Sequence, residues 1–337
     1  MLDAVKPARC LVPLALVGLA ACAPGAARPQ PYDGGSLHPA EAACAESGAD
    51  SFGVRKICPT LAGGREWSLP TTAHVADSEW KPKKSVVATS EPGVFRVSGC
   101  PHNDVVSPTG KAWWRNVEMT AYIRFVANQV APPDGSCNQR PHWTLYARGE
   151  RHSPQDSADP ATIDEGVGAP PGTATWPGYP FSGSSVNAHC LGTSLKGLLF
   201  SQSGAVSFQK EISHVAGYTA ESVLGSALPG GAPVGAWFGY KVVLRNFHAD
   251  GAVHLETWVD ASGTGAWAKV FEIDDSGGWS AKPPHSGQSP LNGCGDAPFH
   301  YAEDQLVTWA GPNVTFRADN LEYDLKWASV REVEPLP

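Results

Sequence analysis

Trp114-Arg115-Asn116-Val117-Glu118-Met119-Thr120-Ala121-Tyr122-Ile123-Arg124-Phe125 alternates without a break. Val117, Met119, Ala121, Ile123 and Phe125 fall on one side, and Asn116, Glu118, Thr120, Tyr122 and Arg124 on the other. A period of two is the mark of a strand with one face in a core. The same pattern recurs downstream. In Phe238–Asn246, Phe238, Tyr240, Val242 and Leu244 oppose Lys241 and Arg245. In Val253–Asp260, Val253, Leu255, Thr257 and Val259 oppose His254, Glu256, Trp258 and Asp260. In Trp143–His152, Thr144, Tyr146, Arg148, Glu150 and His152 share a polar side. Two short strands are expected near 195–200 and 205–214, and Leu321–Val333 is expected to pair with a strand near the start of the domain.

Composition agrees with that reading. The 337 residues include 36 Gly and 30 Pro, which break helix interiors, and 42% are hydrophobic, enough for a core. The twelve Trp and eight Tyr suit strands and sugar-stacking faces. The expected fold is all-β: a two-sheet antiparallel β-sandwich with one polar, aromatic-bearing face open. Long strands at wide spacing favour a jelly roll over an immunoglobulin-type domain. The Pro-rich segment 153–189 reads as a long loop, and loops of that length are often functional.

The N-terminus reads as an address. Lys6 and Arg9 precede a short apolar run, Leu11 to Ala21, which ends in Leu19-Ala20-Ala21-Cys22. This resembles the bacterial lipoprotein box, which implies cleavage before Cys22, acylation of its thiol and a membrane partner through that anchor. The organisation expected is a signal peptide over 1–21, a tether over 22–50 and one jelly-roll domain over 51–337. Cys44, Cys58, Cys100, Cys137, Cys190 and Cys294 would then meet an oxidising compartment and form three disulfides, with 15 connectivities open. Loss of residues 1–21 leaves 23 basic and 32 acidic side chains, a formal charge of −9. No long Lys/Arg run is present, which argues against nucleic acid as a partner.

The stretches Trp114–Tyr122, Trp237-Phe238-Gly239-Tyr240-Lys241-Val242-Val243-Leu244-Arg245-Asn246 and Leu255-Glu256-Thr257-Trp258-Val259-Asp260 resemble the concanavalin A-like jelly roll. That superfamily includes legume lectins, laminin-G-like domains and alginate-lyase-type enzymes. The second stretch is similar to the Tyr-Phe-Lys-Ala-Gly-x-Tyr-Asn strand of alginate lyases but carries Leu244 or Arg245 at the tyrosine. Their Gln-Ile-His element has a distant counterpart in Glu211-Ile212-Ser213-His214, and their Arg-Glu-x-Arg strand has none.

The resemblance implies a lyase acting by β-elimination on a uronate-containing polysaccharide, or a non-catalytic carbohydrate-binding lipoprotein. Elimination needs a group that neutralises the carboxylate, a base and an acid. The residues expected to supply them are Arg148 as neutraliser, His214 or His152 as base, and Tyr122 as acid. Glu118, Lys210, Glu211, Lys241, Glu256 and Trp258 are expected to bind substrate, with the Trp258 indole stacking on a pyranose. Regular alternation would put Glu211 opposite Lys210 and His214, which counts against one shared cleft. Two-carboxylate hydrolysis could draw on Glu118, Glu150 and Glu256, but the run starting at Glu272 lacks the closing Glu of the jelly-roll hydrolase signature. Asp250, Asp260, Asp274, Asp275 and Asp319 lack EF-hand spacing, so no metal or other cofactor is expected. A purely structural envelope protein is the third possibility.

Overall fold

A computed structural model describes residues 48–71, 79–82, 86–99, 102–106, 114–128, 140–149, 194–213, 217–218, 222–228, 230–248, 251–277, 306–308, 310–311 and 313–337. Every strand pairing in it is antiparallel except two single-residue bridges, Phe125 with Val234 and Phe247 with Leu336. Among the described residues there is no α-helix, and so none long and apolar enough to cross a membrane.

The strands in chain order are β1 (Glu66–Ser68), β2 (Trp80–Lys81), β3 (Val86–Ala88), β4 (Phe95–Gly99), β5 (His102–Val106), β6 (Val117–Asn128), β7 (His142–Gly149) and β8 (Ser194–Phe200). They continue as β9 (Ala205–Ser213), β10 (Gly217–Tyr218), β11 (Ser222–Ser226), β12 (Phe238–Asn246), β13 (Val253–Asp260), β14 (Ala268–Asp275), β15 (Asn313–Asp319) and β16 (Leu321–Glu332). The first sheet runs β14-β13-β12-β6-β16-β4-β3, with β1 also on β16. The second runs β10-β9-β8-β7-β15-β5-β2, with β11 also on β9. The fold is the expected two-sheet antiparallel jelly-roll sandwich. The strands read from alternation are present, and the closing strand pairs with β1 and β4 near the start of the domain as well as with β6.

The core lies between the sheets. Met119, Ala121, Ile123, Tyr240, Val242 and Leu255 of the first sheet meet Leu145, Leu199, Phe208 and Phe316 of the second. Trp143 meets Tyr323 edge-on at 4.7 Å between ring centroids, and Phe208 stacks on Phe271 at 5.2 Å. The sheets approach so closely at Gly197 that a β-carbon there would stand 2.5 Å from Val242 Cγ2.

The polar side of the first sheet is where the structure departs from expectation. It is roofed, not open. Residues 50–64 cross it and lead into β1, laying Val54, Ile57 and Cys58 on Tyr122, Val243 and Trp267. The strap is pinned by its own backbone: Leu61 N donates to Glu332 O, and Thr60 bridges Val333. Asp50 fixes its start, accepting from Phe52 and Val54 N–H and from the Ser329 hydroxyl.

Cys58 is buried in that strap. The other five cysteines of the expected disulfide framework lie outside the described residues, as do the expected signal peptide and Cys22.

Candidate functional site

Beneath the strap, register puts Glu118 of β6 next to Arg331 of β16, and Thr120 next to Lys241 of β12. Lys241 Nζ donates to Glu118 Oε1 at 2.8 Å and to Thr120 Oγ1 at 2.7 Å. Arg331 Nη2 also donates to Glu118 Oε1, while Ile57 N–H and Cys58 N–H donate to Oε2 at 2.9 and 3.1 Å. Burial alone would raise the Glu118 pKa, but the charges of Lys241 and Arg331 hold it down at about 2. Burial, helped by Arg331, lowers Lys241 to about 8 against the pull of Glu118. At neutral pH the two form an ion pair with every oxygen of Glu118 satisfied. Glu118 and Lys241, expected to bind substrate on an open face, are instead the lining of a sealed polar layer.

Arg148 and Lys210 also differ from expectation, because both point between the sheets. The β7–β15 pairing slips by one residue, with Asn313 facing Gly149 but Thr315 facing Tyr146. Arg148 sits at that bulge with φ of 60°, a left-handed conformation. The bulge breaks the alternation and turns the guanidinium inward. There it donates to the carbonyls of Arg115 and Val307 and to Asn246 Oδ1 of the first sheet. Lys210 follows Val206 and Phe208 on the core side of β9 and pairs with Asp275 of β14 at 2.8 Å, both side chains fully buried.

Tyr122 stays on the outer side of the first sheet, but its hydroxyl donates to Asp260 Oδ2 at 2.8 Å and its ring is buried. Burial first, then Asp260, raises the phenol well above its ordinary pKa. Glu211 lies in β9 opposite Ser194, and its side chain falls outside the described residues, as do His152 and His214 entirely. The expected catalytic set is therefore not gathered among the described residues: Tyr122 and Arg148 belong to different layers.

Two regions of the first sheet's outer side lie beyond the strap. On β13 and β14, Glu256 and Trp258 keep the outward positions expected of them. Trp258 Nε1 donates to Glu256 Oε2 at 2.6 Å, and Lys269 stands 5.9 Å from the indole centroid. Glu256 Oε1 meets His254 Nε2 at 2.9 Å, and His254 Nδ1 meets Asp274 Oδ1 at 2.6 Å. Burial opposes a charge on His254, but hydrogen bonds to Asp274, Glu256 and Glu272 outweigh it and raise the imidazole to about 11.

At the other end, β16 carries a bulge between Lys326 and Ser329, and Trp327 sits in it with φ of 51°. A bulky residue with positive φ is a genuine outlier. The extra residue leaves Lys326 and Trp327 both outward, while Ala328 and Val330 return to the core. Trp327 is 36% exposed. The Lys326 ammonium stands 4.1 Å from the Trp327 ring centroid and 4.2 Å from that of Trp237. The Arg124 guanidinium lies 4.5 Å from the Trp237 centroid and is held by Asp324 at 2.7 Å and Glu91 at 3.1 Å. Burial and Arg124 lower the Lys326 pKa, with Glu91 opposing. The half-buried Trp237 precedes β12 directly, and Gly263 packs against its carbonyl. Sequence reasoning missed this edge. Simple alternation puts Trp327 with Leu321, Tyr323 and Leu325 in the core.

The fold and this edge define a two-sheet β-sandwich that presents a pair of indoles with cations between and beside them. No family model matches the chain, and no curated protein matches it. Among solved structures it is similar to the carbohydrate-binding module CBM66 of Bacillus subtilis at 9% identity, covering 78% of this chain and 100% of that one with a TM-score of 0.38. It is similar to a Bacillus subtilis protein of unknown function with a galectin-like fold at 11% identity, 81% and 99% coverage and a TM-score of 0.41. It is also similar to basic winged bean lectin, whose structure contains Tn-antigen, at 10% identity, 79% and 97% coverage and a TM-score of 0.37. At these identities no residue is carried across.

Proposed function

We propose that the chain is a carbohydrate-binding protein whose saccharide platform is Trp237 and Trp327 with Lys326 and Arg124. The observation that carries this reading is Trp327, held partly exposed in a strained left-handed conformation beside a second indole. Strain of this kind persists only where the surroundings over-determine it, and it clusters at ligand sites. An indole offers a flat apolar face to the C–H face of a pyranose, and the cations and Glu91 beside it supply donors and acceptors for hydroxyls. The contacts of the Lys326 ammonium are two ring faces, so a uronate carboxylate would give it a charged partner and restore its basicity. An anionic polysaccharide is therefore the ligand class we favour.

Elimination on such a polymer would need base, acid and neutraliser at one point. Tyr122 and Arg148 do not share one, so binding without cleavage is the reading proposed. We also propose export and lipid anchoring through Cys22, to be checked by labelled fatty-acid incorporation that is lost in Cys22→Ala.

The test of function uses residues 23–337 in affinity electrophoresis through alginate, pectate, glucuronan, glycosaminoglycans and neutral glucans. Ultraviolet absorbance of the unsaturated uronate is followed in parallel. Retention on an acidic polymer that is lost in Trp327→Ala, with no absorbance rise, is the expected result. Retention unaffected by Trp327→Ala removes the platform. An absorbance rise that is lost in His214→Ala restores the lyase.

A further inference from the structure

Three candidates stand apart from the indole platform: the sealed Glu118–Lys241–Arg331 layer, the Lys210–Asp275 pair between the sheets, and the polar group on β13 and β14. The first two have no path to solvent. The third is reachable, since His254 and Glu272 side chains are 15% and 22% exposed.

We propose that His254, Glu256 and Glu272 form a site for a divalent transition metal of the zinc type, oriented by Asp274 and Trp258. The hairpin register creates it. His254 and Glu256 are two apart on β13 and share its outward side, and Glu272 of β14 stands directly across from Glu256. The three ligand atoms all lie within 4.8 Å of one another. His254 Nε2 is 2.9 Å from Glu256 Oε1 and 3.5 Å from Glu272 Oε2. Zinc bonds of about 2.0–2.2 Å at tetrahedral angles place ligand atoms about 3.3–3.6 Å apart, so only small shifts are needed.

The surroundings make this more than a group of acids. A metal-bound histidine ordinarily gives its other ring nitrogen to a carboxylate, which fixes tautomer and ring plane. His254 Nδ1 meets Asp274 Oδ1 at 2.6 Å in this way. Ligating carboxylates are likewise held from behind. Glu256 Oε2, the oxygen turned away from His254, takes the Trp258 N–H at 2.6 Å, whereas Lys269 Nζ lies 2.6 Å from Glu272 Oε2, the oxygen that faces His254, so a metal would share that oxygen with the ammonium or displace it. Three protein ligands leave a fourth position to water or an external oxygen. Imidazole among carboxylates suits zinc and its neighbours, whereas calcium and magnesium favour all-oxygen sets. Metal entry releases the Nε2 proton to solvent and leaves Asp274 holding the neutral ring.

The test is calorimetric titration of metal-stripped residues 23–337 with zinc chloride, and separately with calcium chloride. One zinc per chain is expected at neutral pH, lost in His254→Ala and in Glu272→Gln. Asp274→Asn, which leaves all three ligands in place, should weaken zinc about 10–100-fold. Circular dichroism of each variant establishes that it is folded. An unfolded His254→Ala leaves the test to Glu272→Gln, whose side chain is isosteric. Zinc binding equal in wild type and in folded Glu272→Gln, binding of calcium but not zinc, or no stoichiometric binding would each overturn the assignment.

Discussion

The Glu118 carboxylate and the Lys241 ammonium stand 2.8 Å apart with neither side chain reaching solvent. Arg331 shares the same oxygen, and the strap donates two backbone N–H groups to the other. Removing one partner of a buried pair leaves an uncompensated charge and costs about 3–5 kcal/mol. Glu118→Ala should therefore lower stability to urea by that amount. A double variant, Glu118→Leu with Lys241→Met, should lose less than the sum of the two single changes. Equilibrium urea unfolding of the wild type, Glu118→Ala, Glu118→Leu, Lys241→Met and the double variant measures both.

The same layer sets the acid limit. Glu118 is held at about 2 against an ordinary 4.5, and Asp260 and Asp324 are also lowered. Asp260 is lowered against its burial by the Gly265 N–H and Tyr122, and Asp324 against its burial by Arg96 and Arg124. A lowered folded-state pKa gives stability that is full above the unfolded value and is lost as pH falls through the folded one. Below about pH 4.5 the urea midpoint should fall steadily toward pH 2, with Glu118 alone contributing on the order of 3 kcal/mol. In Glu118→Gln the slope over that range should be shallower.

Gly197 measures how tightly the sheets are packed. A β-carbon there meets Val242 Cγ2 at 2.5 Å and Cγ1 at 3.3 Å. Gly197→Ala should cost about 1–3 kcal/mol by overpacking. Gly251, with nothing within 4 Å of its notional β-carbon, is the comparison site. Gly251→Ala should change stability by about 0.5 kcal/mol or less. Thermal unfolding of the two variants tests the contrast.

Asp324 connects stability to the platform. Its side chain is fully buried between Arg96 and Arg124, and Arg124 in turn lies over Trp237. Asp324→Asn should destabilise the fold and also weaken retention on an acidic polymer, because Arg124 loses the partner that aims it. Calorimetry at a temperature where the variant is folded separates the two effects.

What could be read from the sequence was the strand pattern, because an apolar residue at every second position has one physical explanation in a sandwich. β12 and β13 run from Phe238 to Asn246 and from Val253 to Asp260, as the alternation says. What could not be read was which polar side stays wet. The strap over 50–64 has no periodicity to announce it, yet it roofs Glu118 and Lys241. Alternation also fails at bulges. One turns Arg148 inward, and another keeps Trp327 outward where parity would bury it. Trp258 and Glu256 were found because their strand is regular. His254 and Glu272, 18 positions apart, meet only through hairpin register.

The most direct test of the saccharide platform is calorimetric titration of the acidic oligosaccharide that retains the protein best. The titrated proteins are the wild type, Trp327→Ala, Lys326→Met and, as a control far from the indoles in sequence, Val87→Ala at a position 50% exposed on β3. Loss of one stacking or cation contact should weaken binding about tenfold in each of the first two variants, with Val87→Ala unchanged. Wild-type affinity in both Trp327→Ala and Lys326→Met would contradict the account.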